Sequence, residues 1–377
     1  ADNPEDIVPS QITTTVDGQN ARGEGGDIDI ATGILSLTDR AFISSSTSGD
    51  GTAGDTRIQV DSLRVTGGAA ILAITRSAED AGTIFVTAND EIFINGRDAR
   101  GEPSEIASSS IGEATGNGGA VFIASPSVFL ADGGRISATS GGSGLAGDIN
   151  FDINRMEVSD GTIETSAVQS QGGDINVNAA SGRPRGVIVL RGDGDITTDG
   201  FGNGGNINLN TIVIAFDDSD ILARSTDARG GNITLGPFFS DTSPIGAVFP
   251  TENNGRVDVS ADGRLASGTI TTPDTSFVQN SLNQLPAVIV DPSTLIAGSC
   301  IARTDEGQGT FVDTGSGGLP HRPGDAAISA YPTGNVQPLP SVEHQAVWQP
   351  GDPIVEPTGA FALPDGRLVL SRRCDDN

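Results

Sequence analysis

The sequence predicts an all-β chain: a right-handed parallel β-helix of about nine three-strand coils, then a Pro-rich C-terminal tail of short strands. Three observations carry this expectation. A glycine-led phrase recurs along the chain, apolar residues fall into three recurrent columns between its copies, and the rhythm stops near residue 272.

The phrase is clearest in GGDIDI (25–30), AGDINFDI (146–153), GGDINVN (172–178), GNGGNINLN (202–210) and RGGNITL (229–235). Looser copies are AGDTRIQV (53–60), AGTIFV (81–86), GNGGAVFI (116–123) and NNGRVDV (253–259). Their last glycines are Gly26, Gly54, Gly82, Gly119, Gly147, Gly173, Gly205, Gly231 and Gly255, at steps of 28, 28, 37, 28, 26, 32, 26 and 24 residues. A period this regular marks a repeat architecture. The glycines are expected at the corner between coils, where a side chain obstructs the turn or a positive φ is needed.

An alternating apolar pair begins two residues after each glycine: Ile28/Ile30, Ile84/Val86, Val121/Ile123, Ile149/Phe151, Ile175/Val177, Ile207/Leu209, Ile233/Leu235 and Val257/Val259. In the Gly54 copy it sits two later, at Ile58/Val60. The second column reads Leu35/Leu37, Leu63/Val65, Ile92/Ile94, Val128/Leu130, Met156/Val158, Val187/Val189 and Ile212/Ile214. The third is a lone isoleucine: Ile12, Ile43, Ile71, Ile106, Ile136, Ile163, Ile196, Ile221 and, at the end, Ile270. Period-two alternation turns each pair to one face of a strand and the intervening Asp, Asn and Thr to the other. One coil cannot bury its apolar face alone, whereas stacked coils build continuous columns. Parallel crossovers favour the right-handed coil. A β-propeller needs about 40 residues and four strands per blade, more than this spacing provides.

Two stretches lengthen a coil and are expected as loops off the rod: NGRDARGEPSE (95–105) and GPFFSDTSPIGAVFPTENN (236–254). The apolar load of Phe238, Phe239 and Phe249 suggests that the second folds back onto the flank, the alternative being a contact surface. The chain therefore divides into a solenoid over 1–272 and a tail over 273–377, where 12 of the 20 prolines fall. Within the tail AVIVD (287–291), GTFVD (309–313), GAFAL (359–363) and GRLVL (366–370) read as short strands, and LPDGRL as a hairpin turn.

The net charge is −28, and all 21 basic residues are arginine. Such a surface repels phosphates and anionic lipid, which argues against nucleic acid and membrane partners. No apolar run approaches the roughly 18 residues of a membrane span. Acidic turns raise the question of calcium. GDGDITTDG (192–200) carries Asp193, Asp195 and Asp199 but no distal glutamate of an EF-hand, and GDGTAGD (49–55) lacks a nine-residue period. Metal is otherwise not expected, because the two cysteines, Cys300 and Cys374, have no zinc spacing. No catalytic residue is assigned: His321, His344, Tyr331 and Trp348 all lie in the tail, and aspartates beside turn glycines are ordinary turn-formers.

The serial GGDI coils, LIAGSC with GTFVDTGSGGLPHRP (295–323) and TGAFALPDGRLVL (358–370) together resemble the C-terminal part of filamentous-haemagglutinin-like proteins, the passengers of two-partner secretion common in cyanobacteria. The tail, with Cys300, Phe311 and Gly317-Gly318-Leu319-Pro320, is its most specific part. Ser316 departs from the arginine such tails often carry, and the family's N-terminal secretion domain is not in the sequence. The resemblance implies export through an outer-membrane pore partner and a location outside the cell or on its surface. It further implies a non-catalytic adhesin or filament component, with a glycan or cell-surface ligand. A β-helical polysaccharide lyase or hydrolase is the alternative, because the fold hosts both. Export also implies oxidising conditions, under which Cys300 and Cys374 are expected to pair, as a structural staple or as the C-terminal loop some members use at the secretion pore. Ile12 matches the third column, so the chain enters within a coil; either more solenoid lies upstream or the end stacks on another subunit.

Overall fold

The computed structural model describes residues 9–18, 21–180, 186–241 and 254–273, with three short strands at 337–338, 359–362 and 368–371. The chain divides into two compact units, Ala1–Val278 and Gln279–Asn377. The first unit is a parallel β-solenoid, with no helix among the described residues.

Two sheets run along it. The larger contains β2 (Ile28–Leu37), β4 (Thr56–Thr66), β6 (Ile84–Asn95), β8 (Val121–Ala131) and β10 (Ile149–Ser159), each bent so that columns one and two lie on one strand. The sequence reading gave each coil three strands; in these coils there are two. After β10 the long strand divides into β12 (Ile175–Ala179) and β13 (Val187–Arg191), then β15 (Ile207–Leu209) and β16 (Ile212–Ala215), then β18 (Ile233–Leu235) and β19 (Phe238–Ser240). The strand β21 (Ile270–Thr271) closes the first branch. The second sheet stacks β1 (Gln11–Thr13), β3 (Phe42–Ser44), β5 (Ala70–Thr75), β7 (Glu105–Ser110), β9 (Arg135–Ser137), β11 (Thr162–Glu164), β14 (Asp195–Thr197), β17 (Ile221–Leu222) and β20 (Val259–Ser260).

Register confirms the columns. Ile12, Ile43, Ile71, Ile106, Ile136, Ile163, Ile196 and Ile221 pair in unbroken succession. Ile149, Ile175, Ile207 and Ile233 do the same in the other sheet. From Ile43 on, these side chains belong to one continuous core and are wholly buried, whereas Ile12, in the first coil described, is half exposed. Burying each isoleucine contributes about 1.5–3 kcal/mol relative to leaving it exposed. Thr56 takes the place of Ile28 and Ile84 in its coil, which is why that apolar pair begins two residues late, and its hydroxyl is satisfied by Ser45 at 2.9 Å.

The corner glycines are required by close approach. A methyl group built on Gly54, Gly82, Gly119, Gly147, Gly173, Gly205 or Gly231 would overlap the carbonyl oxygen of the corner glycine one coil before it. None of these has a positive φ, so crowding rather than left-handed backbone excludes a side chain. The Asp or Asn that follows has its own role: the side chain accepts the backbone N–H of the equivalent residue in the next coil. Asp27 serves Asp55 at 2.8 Å, Asp55 serves Thr83 at 2.9 Å, Asp148 serves Asp174 at 2.8 Å, Asp174 serves Asn206 at 2.7 Å, and Asn206 serves Asn232 at 3.0 Å.

Two parts of the expected pattern are corrected. In β13 and β16 the inward residues are Ile188, Leu190, Val213 and Ala215; Val187, Val189, Ile212 and Ile214 face outward and are only partly covered. At the far end Val259 pairs with Ile221 and so belongs to the third column, while Ile270 pairs with Ile233 and belongs to the first. Gly268, not Gly255, is the corner glycine, abutting the Gly231 carbonyl; Gly255 is a turn residue with φ +75°. Nine corners thus enclose eight full coils. Phe238 and Phe239 are on β19 rather than in a loop, and Phe249 lies outside the described residues. The 95–105 insertion is a tight loop tied to the rod. The Asp98 carboxylate accepts the N–H of Arg100 and of Glu102, and Arg40 of an earlier coil sits 3.6 Å from it.

In the second unit β22 (Gln337–Pro338) runs parallel to β23 (Gly359–Ala362), which is antiparallel to β24 (Leu368–Ser371), as GAFAL and GRLVL predict. AVIVD and GTFVD lie outside the described residues.

Candidate functional site

The aspartates singled out for calcium occupy three different structural posts. Asp193 is a turn residue with φ +65° whose N–H reaches the Asp217 carbonyl. Asp195 begins β14, and its carboxylate accepts the Asp220 N–H at 2.8 Å. Asp199 receives a two-pronged contact from Arg224, at 3.0 and 2.7 Å. Among the described residues no three His, Cys, Asp or Glu side chains converge as a metal group. Asp50 and Asp55 of GDGTAGD pair with Arg22 and Arg57. Cys300, Cys374 and the four aromatic or histidine candidates of the tail lie outside the described residues.

Charge on the outer face of the second sheet forms a bridged row. Arg135 on β9 reaches Glu105 at 2.8 Å and Glu164 at 3.2 Å. Burial works against its charge, but those two glutamates hold the guanidinium above its ordinary value. Glu164 is pushed up, first by burial and then by the charges of Asp199 and Glu105, with Arg135 opposing. Further along the same sheet Asp195 begins β14, and Asp220 and Asp258 immediately precede β17 and β20 in the next two coils. Burial raises Asp220 to about 6, against the hydrogen bond from the Asp258 N–H and with the Asp258 charge adding to the rise.

The larger sheet carries aromatic stacks on its outer face. Phe85 and Phe122 lie parallel, with centroids 5.1 Å apart and planes 8° apart, and Arg57 covers the free face of Phe85 at 5.2 Å. Arg64 covers Phe93 at 4.6 Å. Asn150, Asn176 and Asn208 continue the first row as an amide ladder, linked at 3.1 and 2.8 Å.

Between these rows, at the bend of β2, β4 and β6, lies a groove of about 360 Å³. Ala31 and Gly33 contribute its apolar part, and Gln59, Asp61, Thr87 and Asn89 line it with polar groups; Thr32 and Val60 also border it, but they pair with each other at the core-facing position. At the bend β6 holds one more residue than its neighbours. Asn89 and Asp90 stand opposite Asp61 alone, and Ala88, Asn89 and Asp90 stand opposite Ser125 and Pro126. A bulge of this kind re-aims side chains, here Asn89, whose amide donates to Asp61 at 2.8 Å. None of these polar residues stands out from the sequence pattern. The readable sign was spacing: first-to-second column is eight residues in this coil, Ile84 to Ile92, and seven in the next, Val121 to Val128.

Comparison with protein families, with curated proteins and with solved structures finds no match for the chain.

Proposed function

We propose that this chain is a non-catalytic extracellular scaffold, part of a surface adhesin or filament. The observation that carries the reading is the use made of its acidic side chains. Asp27, Asp55, Asp148 and Asp174 are engaged coil to coil as acceptors for backbone N–H groups, and Asp199 with Arg224 ties successive strands. Such ladders stiffen a rod and leave these carboxylates poorly placed for proton transfer to a substrate. The resemblance to secreted haemagglutinin-like passengers supports export through an outer-membrane pore and a Cys300–Cys374 pair in the tail. Intact mass with and without reduction before alkylation tests the pair; two alkylated thiols in the unreduced protein remove it.

A polysaccharide hydrolase or lyase is the second reading, and one feature favours it: Glu164 is pushed up by burial, with the charge of Asp199 adding to the rise, and a carboxyl raised in this way suits a general acid. One experiment discriminates. Neutral and acidic polysaccharides are incubated with the protein and assayed for new reducing ends or unsaturated products. The scaffold reading expects none; turnover abolished by Glu164→Gln establishes the enzyme instead.

A further inference from the structure

We propose that the groove at the bend of β2, β4 and β6 binds a neutral, hydroxyl-rich saccharide, recognised through Gln59, Asp61, Thr87 and Asn89. The proposal rests on the adhesin reading and names its ligand class.

The lining chemistry selects the ligand. Amides of Gln59 and Asn89 and the hydroxyl of Thr87 both donate and accept, and the Asp61 carboxylate accepts. A sugar hydroxyl also does both, so a chain of hydroxyls matches this alternation. Other ligand classes fit poorly. No arginine or histidine lines the groove, and the nearest guanidinium groups are already paired: Arg57 with Asp27 and Asp55, Arg64 with Glu91. Phosphates and uronates therefore find no counter-charge, and the net charge of −28 repels them. One carboxylate is too few for a divalent cation. An extended peptide would add along a strand edge; among the described strands β2 alone offers one here, whereas the polar side chains of the groove stand on β4 and β6, which are paired on both sides.

Preorganisation supports the same assignment. The Asn89–Asp61 hydrogen bond holds both side chains before a ligand arrives, which lowers the ordering cost of binding. Gly33 keeps that end open: a Cβ there would lie 3.4 Å from the Asp61 carboxylate, and a longer side chain would occupy the groove. Neither Phe85 nor Phe122 lines the groove; their facing surfaces are taken up by their mutual stack, and Arg57 lies over Phe85.

The test titrates the whole chain by calorimetry with neutral oligosaccharides of glucose, mannose, galactose and xylose, and with polygalacturonate as the acidic control. Wild type is expected to bind at least one neutral series. Gly33→Leu and the double change Gln59→Ala with Asn89→Ala should each weaken binding about tenfold or more, the loss of one or two buried hydrogen bonds. Asn208→Ala, on the same face but four coils on, should bind like wild type. Thermal unfolding checks each variant, and the double change stands if Gly33→Leu does not fold. Unchanged binding by a folded double variant overturns the groove and leaves the adhesin reading intact. Preference for polygalacturonate, or no saccharide binding at all, also overturns it; adhesion of labelled protein to cells then tests the adhesin reading separately.

Discussion

The carboxylate of Asp174 accepts the backbone N–H of Asn206, one coil on, at 2.7 Å, while the N–H of Asp174 is itself accepted by Asp148 at 2.8 Å. One side chain thus joins the corner of its own coil to the next, and the GGD/N phrase is the sequence form of that joint.

Removing the joint should cost stability without removing the fold. Asp174→Ala leaves the Asn206 N–H and the Asn206 amide, 3.0 Å from the same oxygen, without their acceptor. The expected loss is about 1–3 kcal/mol, the cost of an unsatisfied donor. Asp174→Asn keeps an acceptor at that place and should lose less than half as much. Urea unfolding followed by circular dichroism checks the order of the three proteins; equal loss in both variants would show that charge, not the acceptor, matters.

Crowding at the corner gives a sharper contrast. Gly205→Ala drives a methyl group into the Gly173 carbonyl, and the stacked backbones on both sides cannot move apart without opening the core. Gly33→Ala meets only the Asp61 side chain, at 3.4 Å. Gly205→Ala is expected to destabilise by several kcal/mol, about the scale of strained or overpacked sites, and Gly33→Ala to stay within about 0.5 kcal/mol, as surface changes do. Melting temperatures of the two variants decide it, and similar values would reject the backbone-contact account.

The sequence made the solenoid, its period and its isoleucine column legible because each rests on a local pattern repeated many times. It misled where two different causes leave the same letters. NNGRVDV imitates the corner phrase, yet Gly255 is there for its positive φ and Gly268 for close approach. VIVLR and IVIA are apolar on both faces, so alternation carries no phase and only pairing with Met156 and Val158 sets it. The groove was hidden for a third reason. It lies where β6 carries one extra residue relative to both neighbours, a property of register between coils rather than of any residue type.

That phase error is directly testable. Ile188 is wholly buried and pairs with Met156, whereas Val189 faces outward beside Glu157. Ile188→Asn should cost about 3 kcal/mol or more, combining a lost apolar side chain with an unpaired buried amide. Val189→Asn should change stability by less than about 1 kcal/mol. Comparing the two in urea unfolding distinguishes the observed register from its one-residue slip, for which the order of losses reverses.

The Asp195–Asp220–Asp258 stack makes a prediction about pH. Asp220 accepts the Asp258 N–H at 2.8 Å and donates its own N–H to Asp195, so its carboxyl lies between two others, with Asp218 and Arg224 also acting on it. Burial is the largest cause of its rise from 3.8 to about 6. The sign follows from the proton count. The folded state keeps this proton at pH values where the unfolded chain has released it, so the group favours folding fully below its unfolded value near 3.8 and ceases to do so as pH rises through about 6. Acidifying from pH 7 to 5 should therefore strengthen the far end of the solenoid through this group, against the usual trend of ion-paired carboxylates. Asp220→Asn keeps an acceptor for the Asp258 N–H and cannot ionise. It should be more stable than wild type at pH 7, and the difference should shrink toward pH 5. Thermal unfolding of both proteins at pH 7, 6 and 5 measures this, with hydrogen exchange at Ile221 and Val259 localising the effect. A variant less stable than wild type at pH 7, or a difference constant across the range, would show that Asp220 is ionised in the folded protein and held by its neighbours.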